Sequence, residues 1–299
     1  MPMIDGAIQD YALTLDKFLD HAAKWRPRTE VVTACADGST TRIGYAGLRE
    51  RAKRVTSVLH DLGVRTGSRV ATLSWNTQAH MECWYAVMGL GAVCHTLNPR
   101  LTREQLAWML GQSGASILIV SSDLQPLAAR IVALAPGVVK VLVIDLAEDD
   151  VVDVVALPLA EALEDVMPSE CADIPWGEFP ETTPCGLCFT SGTTGSPKGV
   201  TYTHRGNYLH TLRQLQADVS GITSHDVVLP VVPMFHANAW GLPFSAPATG
   251  AKLVLPGRHS DGESLAHLIA AEGVTIAVGV PTIWMGLLEY LETTDLSLP

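Results

Sequence analysis

No stretch of this chain reaches the roughly 18 apolar residues that a membrane-crossing helix needs, so no integral membrane span is expected. Clusters of Lys and Arg are missing too: 31 acidic residues outweigh 20 Lys plus Arg, giving a formal charge of −11. That balance argues against a nucleic-acid partner, which would want a basic face. The first residues, MPMIDGAIQDYALTLDKFLD, carry acids early and lack a basic start followed by an apolar block, so no secretory signal is expected and the cytoplasm is the expected compartment. Six cysteines, at 35, 83, 94, 171, 185 and 188, are too scattered for a disulfide framework and fit a reducing compartment. Ten histidines include no H-E-x-x-H, so a metal held by protein nitrogen and sulfur is not supported. Cys185 and Cys188 make one C-x-x-C, but no second ligand pair accompanies it. On a strand an offset of three sends the two thiols to opposite faces, so they read as small buried hydrophobes.

What remains is a chain of 299 residues, 47% hydrophobic and 17% charged, long enough for one large domain or two. Its elements alternate. An apolar face at Leu15, Phe18, Leu19 and Ala22, with Thr14 as expected cap, predicts a helix ending before Pro27. Asp37-Gly38 between Val31–Cys35 and Thr40–Ile43 is a strong hairpin signal. Apolar residues three and four apart then predict a helix over 45–62, closed by Gly63. Strands are expected at Val70–Trp75, Ala92–Leu97, Ser116–Ser121 and Val138–Asp145, with helices between them; Thr102 and Gln105 form a capping box. The acidic, proline-bearing stretch 146–183 reads as a surface connection. Alternation resumes with strands Val227–Val232, Lys252–Leu255 and Val274–Val278 and helices from Gly206, over 263–271 and over 282–292. The fold class expected is α/β: two doubly wound, mainly parallel sheets with helices packed on them. A first subdomain is expected over 1–165 and a second over 166–299.

Between two short apolar strands, Gly186–Phe189 and Val200–Tyr202, lies FTSGTTGSPKGV, residues 189–200. Thr190, Ser191, Thr193, Thr194 and Ser196 offer hydroxyls, Gly192, Gly195 and Gly199 let the backbone approach a ligand, and Lys198 adds a fixed positive charge. Inward N–H groups, hydroxyls and an ammonium suit polyphosphate oxygens. Against a Walker loop stand Pro197, which removes a donor before the lysine, and Gly199, which removes the hydroxyl that would hold magnesium. A Gly/Ser/Thr-rich surface turn is the bland alternative. Over its full length the stretch resembles the signature loop of the adenylate-forming ligases: acyl-CoA synthetases, luciferases and peptide-synthetase adenylation domains.

A second stretch, PMFHANAWG, follows the end of Val227–Val232, where open sheets place ligand clefts. It resembles the segment that, in acyl-CoA synthetases for medium- and long-chain acids, borders the adenylate and acyl sites. His236 stands where amino-acid-activating relatives carry an aspartate, so nothing there would pair a buried substrate ammonium. Trp240 matches a bulky residue that gates an acyl tunnel, core packing being its plain alternative. Ala277–Thr282, with Gly279 and Val280, resembles a family stretch beside the acyl and nucleotide pockets. Trp75-Asn76 and Leu97-Asn98-Pro99-Arg100 extend the resemblance across most of the chain.

The resemblance implies ATP-dependent activation of an aliphatic acid to an acyl-adenylate and then to acyl-CoA. Thr190, Ser191, Gly192, Thr193, Thr194, Gly195 and Lys198 would hold ATP, Thr190 would help ligate Mg2+, and CoA would be the co-substrate. Lys198 and His236 are the expected catalytic pair; His236, Trp240, Gly279 and Val280 are expected to line the acid site. A homodimer is a candidate assembly by the same resemblance. Family parts expected downstream, a magnesium-completing glutamate, a ribose-binding aspartate and a lysine on a C-terminal lid domain, have no counterpart before Pro299. The chain therefore reads as an N-terminal portion, inactive or nearly so alone. A non-catalytic nucleotide-binding fragment of the same fold is the main alternative, and a Walker-type phosphohydrolase the weakest.

Overall fold

A computed structural model describes residues 11–190 and 197–298. Among these, twelve strands form two mostly parallel sheets with helices packed on them, the expected α/β class. The strands are β1 (Glu30–Ala34), β2 (Thr40–Gly44), β3 (Arg69–Leu73), β4 (Val93–Thr96), β5 (Ile117–Ser121), β6 (Lys140–Ile144), β7 (Ala160–Ala162), β8 (Pro184–Thr190), β9 (Lys198–Thr203), β10 (Val227–Pro230), β11 (Lys252–Leu255) and β12 (Ile276–Val278). The helices are α1 (Asp16–Trp25), α2 (Tyr45–Asp61), α3 (Gln78–Gly89), α4 (Arg103–Ser113), α5 (Gln125–Val132), α6 (Leu163–Val166), α7 (His204–Gln214), α8 (Leu242–Thr249), α9 (Gly262–Glu272) and α10 (Pro281–Leu291).

The larger sheet runs β7-β6-β5-β3-β4-β8-β9 and the smaller β12-β10-β11-β1-β2. Only the hairpin partners β8/β9 and β1/β2 are antiparallel. β4 and β5 are buried throughout, as strands covered on both faces must be, and the Ile, Leu and Val run of β5 follows from that. α3 is buried from His80 to Gly89. The largest apolar cluster surrounds it and draws Val70, Ile119 and Leu142 from one sheet and Val31, Val228 and Leu253 from the other.

The sheets do not follow the expected division at 165/166. β8 and β9 extend the sheet built from β3–β7, while β1 and β2 join β10–β12. The reason is pairing: β8 lies parallel to β4, Cys94 opposite Gly186, and β1 lies parallel to β11, Val31 opposite Leu253. Locally, the Thr102/Gln105 capping box forms in both directions, at 3.3 and 3.0 Å. Thr14 does not cap α1: its hydroxyl has no partner, and the Leu15 N–H instead donates to His204 Nδ1 at 3.2 Å.

Candidate active site

β8 and β9 deliver the two described ends of the hydroxyl-rich loop. Thr190 and Lys198 are register partners, and the Thr190 hydroxyl lies 3.5 Å from the Lys198 carbonyl. Both side chains are exposed. Ser191, Gly192, Thr193, Thr194 and Gly195, expected to bind phosphate, lie outside the described residues. The C-x-x-C behind them is a packing feature. Both thiols are free and buried, and burial pushes Cys185 up to about 12 and Cys188 upward as well. They face different neighbours: Asn207 Nδ2 donates to Cys185 Sγ at 3.3 Å, and Cys188 Sγ lies 3.3 Å from Thr96 Oγ1.

The second stretch packs against the same strand. Thr96, at the end of β4, also donates to the Phe235 carbonyl at 3.3 Å, tying the His236 segment to β8 through one hydroxyl. Asn238 is buried, its amide 3.6 Å from where a Cβ on Gly186 would stand. Gly186, Cys188 and Thr190 alternate along β8 and so share a face. The face that seats Asn238 therefore continues to the hairpin mouth.

Residues 237–241 depart from anything readable in the sequence. Ala237, Asn238, Ala239 and Trp240 have φ of 45°, 52°, 46° and 54°, and Gly241 follows at 79°. A left-handed run disfavours non-glycine residues by roughly 1–2 kcal/mol each, so its surroundings must impose it. Buried Asn238 and Ala239 hold its inner side, and the Ser245 hydroxyl bonds the Gly241 carbonyl at 3.1 Å. Its outer side carries His236, exposed, and Trp240, 47% exposed, which sets aside core packing for that indole.

β12 brings in the third stretch. The N–H groups of Val231 and Val232 both donate to the Val278 carbonyl, at 2.8 and 3.0 Å, so Gly279 and Val280 leave β12 where the His236 segment leaves β10. Gly279 lies against Trp284, and Val280 is 44% exposed. The described ones among the predicted residues thus stand at the C-terminal ends of β8, β10 and β12, with Lys198 opening β9 opposite Thr190.

Sequence reasoning passed over one group there. Trp75, Arg100, Phe235, Arg258 and His259 line a cleft where the ends of both sheets meet. The Arg100 guanidinium lies 5.9 Å from the Phe235 ring centre, and Trp75 meets that ring edge-on. The Trp75 indole N–H donates to Asp123, which also lies 3.6 Å from Arg258. The only hint of this cluster in the sequence was the resemblance of Trp75-Asn76 and Leu97-Asn98-Pro99-Arg100 to family stretches.

Residues 18–298 match the family described as AMP-binding enzyme. The chain belongs to that family. It is 40% identical over 285 residues to a 3-methylmercaptopropionyl-CoA ligase of Ruegeria lacuscaerulensis, covering 95% of this chain and 52% of the relative. It is 41% identical over 295 residues to a long-chain-fatty-acid–CoA ligase of Thermus thermophilus, covering 98% and 52%. The inhibitor-bound N-terminal domain of FACL13 from Mycobacterium tuberculosis superposes with a TM-score of 0.78 at 26% identity, covering 96% of this chain and 67% of that one. The chain spans about half the length of the curated relatives it matches. Among the described residues of this AMP-binding family member no helix is long and apolar enough to cross a membrane.

Proposed function

We propose that this chain carries the ATP- and acid-binding part of an AMP-forming acyl-CoA ligase acting on an aliphatic acid. One observation carries the reading most. The β8–β9 hairpin, with Thr190 and Lys198 at its mouth, is joined through Thr96 to the segment bearing His236 and Trp240, and Asn238 of that segment lies against Gly186 of β8. A polyphosphate gripped by the first lies alongside an acyl group bordered by the second.

In the first step a carboxylate oxygen bonds the α-phosphorus of ATP and the bond to pyrophosphate breaks. Lys198 and the loop donors neutralise charge growing on the departing phosphates. Thr190 presents a hydroxyl at an exposed hairpin mouth, a hard oxygen donor of the kind Mg2+ takes, and would help hold that ion, which would supply charge neutralisation when bound. In the second step the CoA thiol attacks the acyl carbonyl and AMP leaves. Arg100 and Arg258 give the cleft beside Phe235 the charge an anionic co-substrate needs. His236 borders the reacting carboxylate, and the open setting of Trp240, Gly279 and Val280 offers no charge to the acid's tail.

Soluble, cytoplasmic occurrence and a homodimer belong to the same proposal, the second checked by sedimentation. Calorimetry of the 299-residue chain with ATP and Mg2+, and with octanoyl sulfamoyl adenosine as an unreactive acyl-adenylate mimic, tests the core of it; heat from neither ligand overturns it. Turnover by the chain alone is expected to be near zero, with restoration on adding a separately expressed C-terminal half of a relative. Acid-independent pyrophosphate release would count against an acyl ligase.

A further inference from the structure

Asn76 is 3% exposed and sits just past β3, where the chain leaves the larger sheet. Its side chain does no work for its own sheet. Nδ2 donates to the carbonyls of Pro230 and Val232, at 2.8 and 3.0 Å, and Oδ1 accepts the Met234 N–H at 2.7 Å. Two amide hydrogens face two carbonyls and the amide oxygen faces an N–H, which permits one orientation of the group. Its backbone carbonyl accepts the Gly257 N–H at 3.0 Å, so the same residue also fastens the loop after β11.

The segment it grips is the one that carries His236. Val231 and Val232 are held from the opposite side by Val278, and Phe235 is held by Thr96, but Pro233 has no N–H to give. Between Val232 and Phe235 the Met234 bond to Asn76 is the anchor, and the left-handed run begins three residues further on, at Ala237.

We propose that Asn76 is a positioning residue for the acyl side of the site: it sets where His236 and the left-handed turn stand relative to the hairpin mouth. This rests on the function proposed above. Substitution should injure recognition of the acyl-adenylate more than recognition of ATP, because among the described residues the side-chain partners of Asn76 are Pro230, Val232 and Met234 and none belongs to β8 or β9.

The test compares the 299-residue chain with Asn76→Ala and the isosteric Asn76→Asp, which replaces two donors by an acceptor facing two carbonyls. Leu118→Ala, a truncation in the other core, is the control for general loss of stability. Affinities for ATP–Mg2+ and for octanoyl sulfamoyl adenosine are measured by calorimetry, and protection of the Met234 and His236 amides by hydrogen exchange. Both Asn76 variants should weaken the mimic at least tenfold relative to ATP and lose that protection, while Leu118→Ala leaves the ratio within twofold. A ratio unchanged in Asn76→Asp, or one shifted equally by Leu118→Ala, overturns the positioning role and leaves the function standing. Failure of the unsubstituted chain to bind either ligand overturns the function and this inference with it.

Discussion

Thr190 and Lys198 face each other across the open end of the β8–β9 hairpin, the last paired residues before the hydroxyl-rich loop and the first after it. Pinning both ends of a loop in one ladder limits how far its backbone donors can stray, while leaving the lysine ammonium in solvent until a ligand arrives. Lys198→Ala should therefore weaken ATP–Mg2+ binding about tenfold, roughly 1.4 kcal/mol, with an unchanged melting temperature. Calorimetry beside a thermal melt checks both halves of that expectation. An unaltered affinity would take the lysine out of the site.

Three buried histidines make stability fall in acid. His80 Nδ1 donates to the Trp75 carbonyl at 2.7 Å, and Nε2 accepts the Trp84 indole N–H at 3.0 Å, so the ring is held neutral. Burial lowers His80 to about 4, His95 to about 4 and His204 to about 3, against 6.5 for a free side chain. Each folded value lies below the unfolded one. The unfolded chain thus takes up protons first, and stability declines as pH falls from about 6.5 toward 4, by on the order of 3 kcal/mol per histidine at the lower end. Urea titrations across that window should show the decline, and His80→Gln should make it shallower.

Arg51 reaches across helices to buried Glu82 at 2.8 Å and also pairs with Glu164. Removing the cation would strand a carboxylate whose pKa burial already pushes upward. Arg51→Met should cost about 3–5 kcal/mol, and Arg51→Met with Glu82→Met should recover most of it, since replacing both charges removes the desolvation cost. Equilibrium denaturation of the single and double variants measures the difference.

Cysteine reactivity offers a fourth check. Cys83, Cys94, Cys185 and Cys188 are buried and protonated, whereas Cys171 is exposed. In the native protein a thiol reagent should modify Cys171 rapidly, Cys35 more slowly and the other four only on unfolding. Rapid labelling of Cys185 or Cys188 would contradict their reading as buried packing groups.

Much of the fold was legible because its signals are local. Buried parallel strands announce themselves as Val/Ile/Leu runs, α2 carries a regular apolar face and α4 a complete capping box. α8 escaped notice because Pro243 and Pro247 look like breakers; Pro243 falls in the first turn, where no N–H is needed, and Pro247 falls in the last part of a buried helix. Thr14 matched a cap by type, but a bond from Leu15 to His204, 189 residues away, took over the helix start.

Residue chemistry alone determined that this chain would build α/β layers, and it singled out a hydroxyl-rich stretch ending in a lysine and a separate histidine-bearing stretch, since spacing and composition act over a few residues. Tertiary packing decided which strands share a sheet, that Ala237–Trp240 run left-handed, and that one buried asparagine after β3 grips the loop after β10. Those outcomes depend on partners far apart in the chain, Cys94 with Gly186 and Asn76 with Met234 among them, and no local pattern encodes a separation that only folding closes.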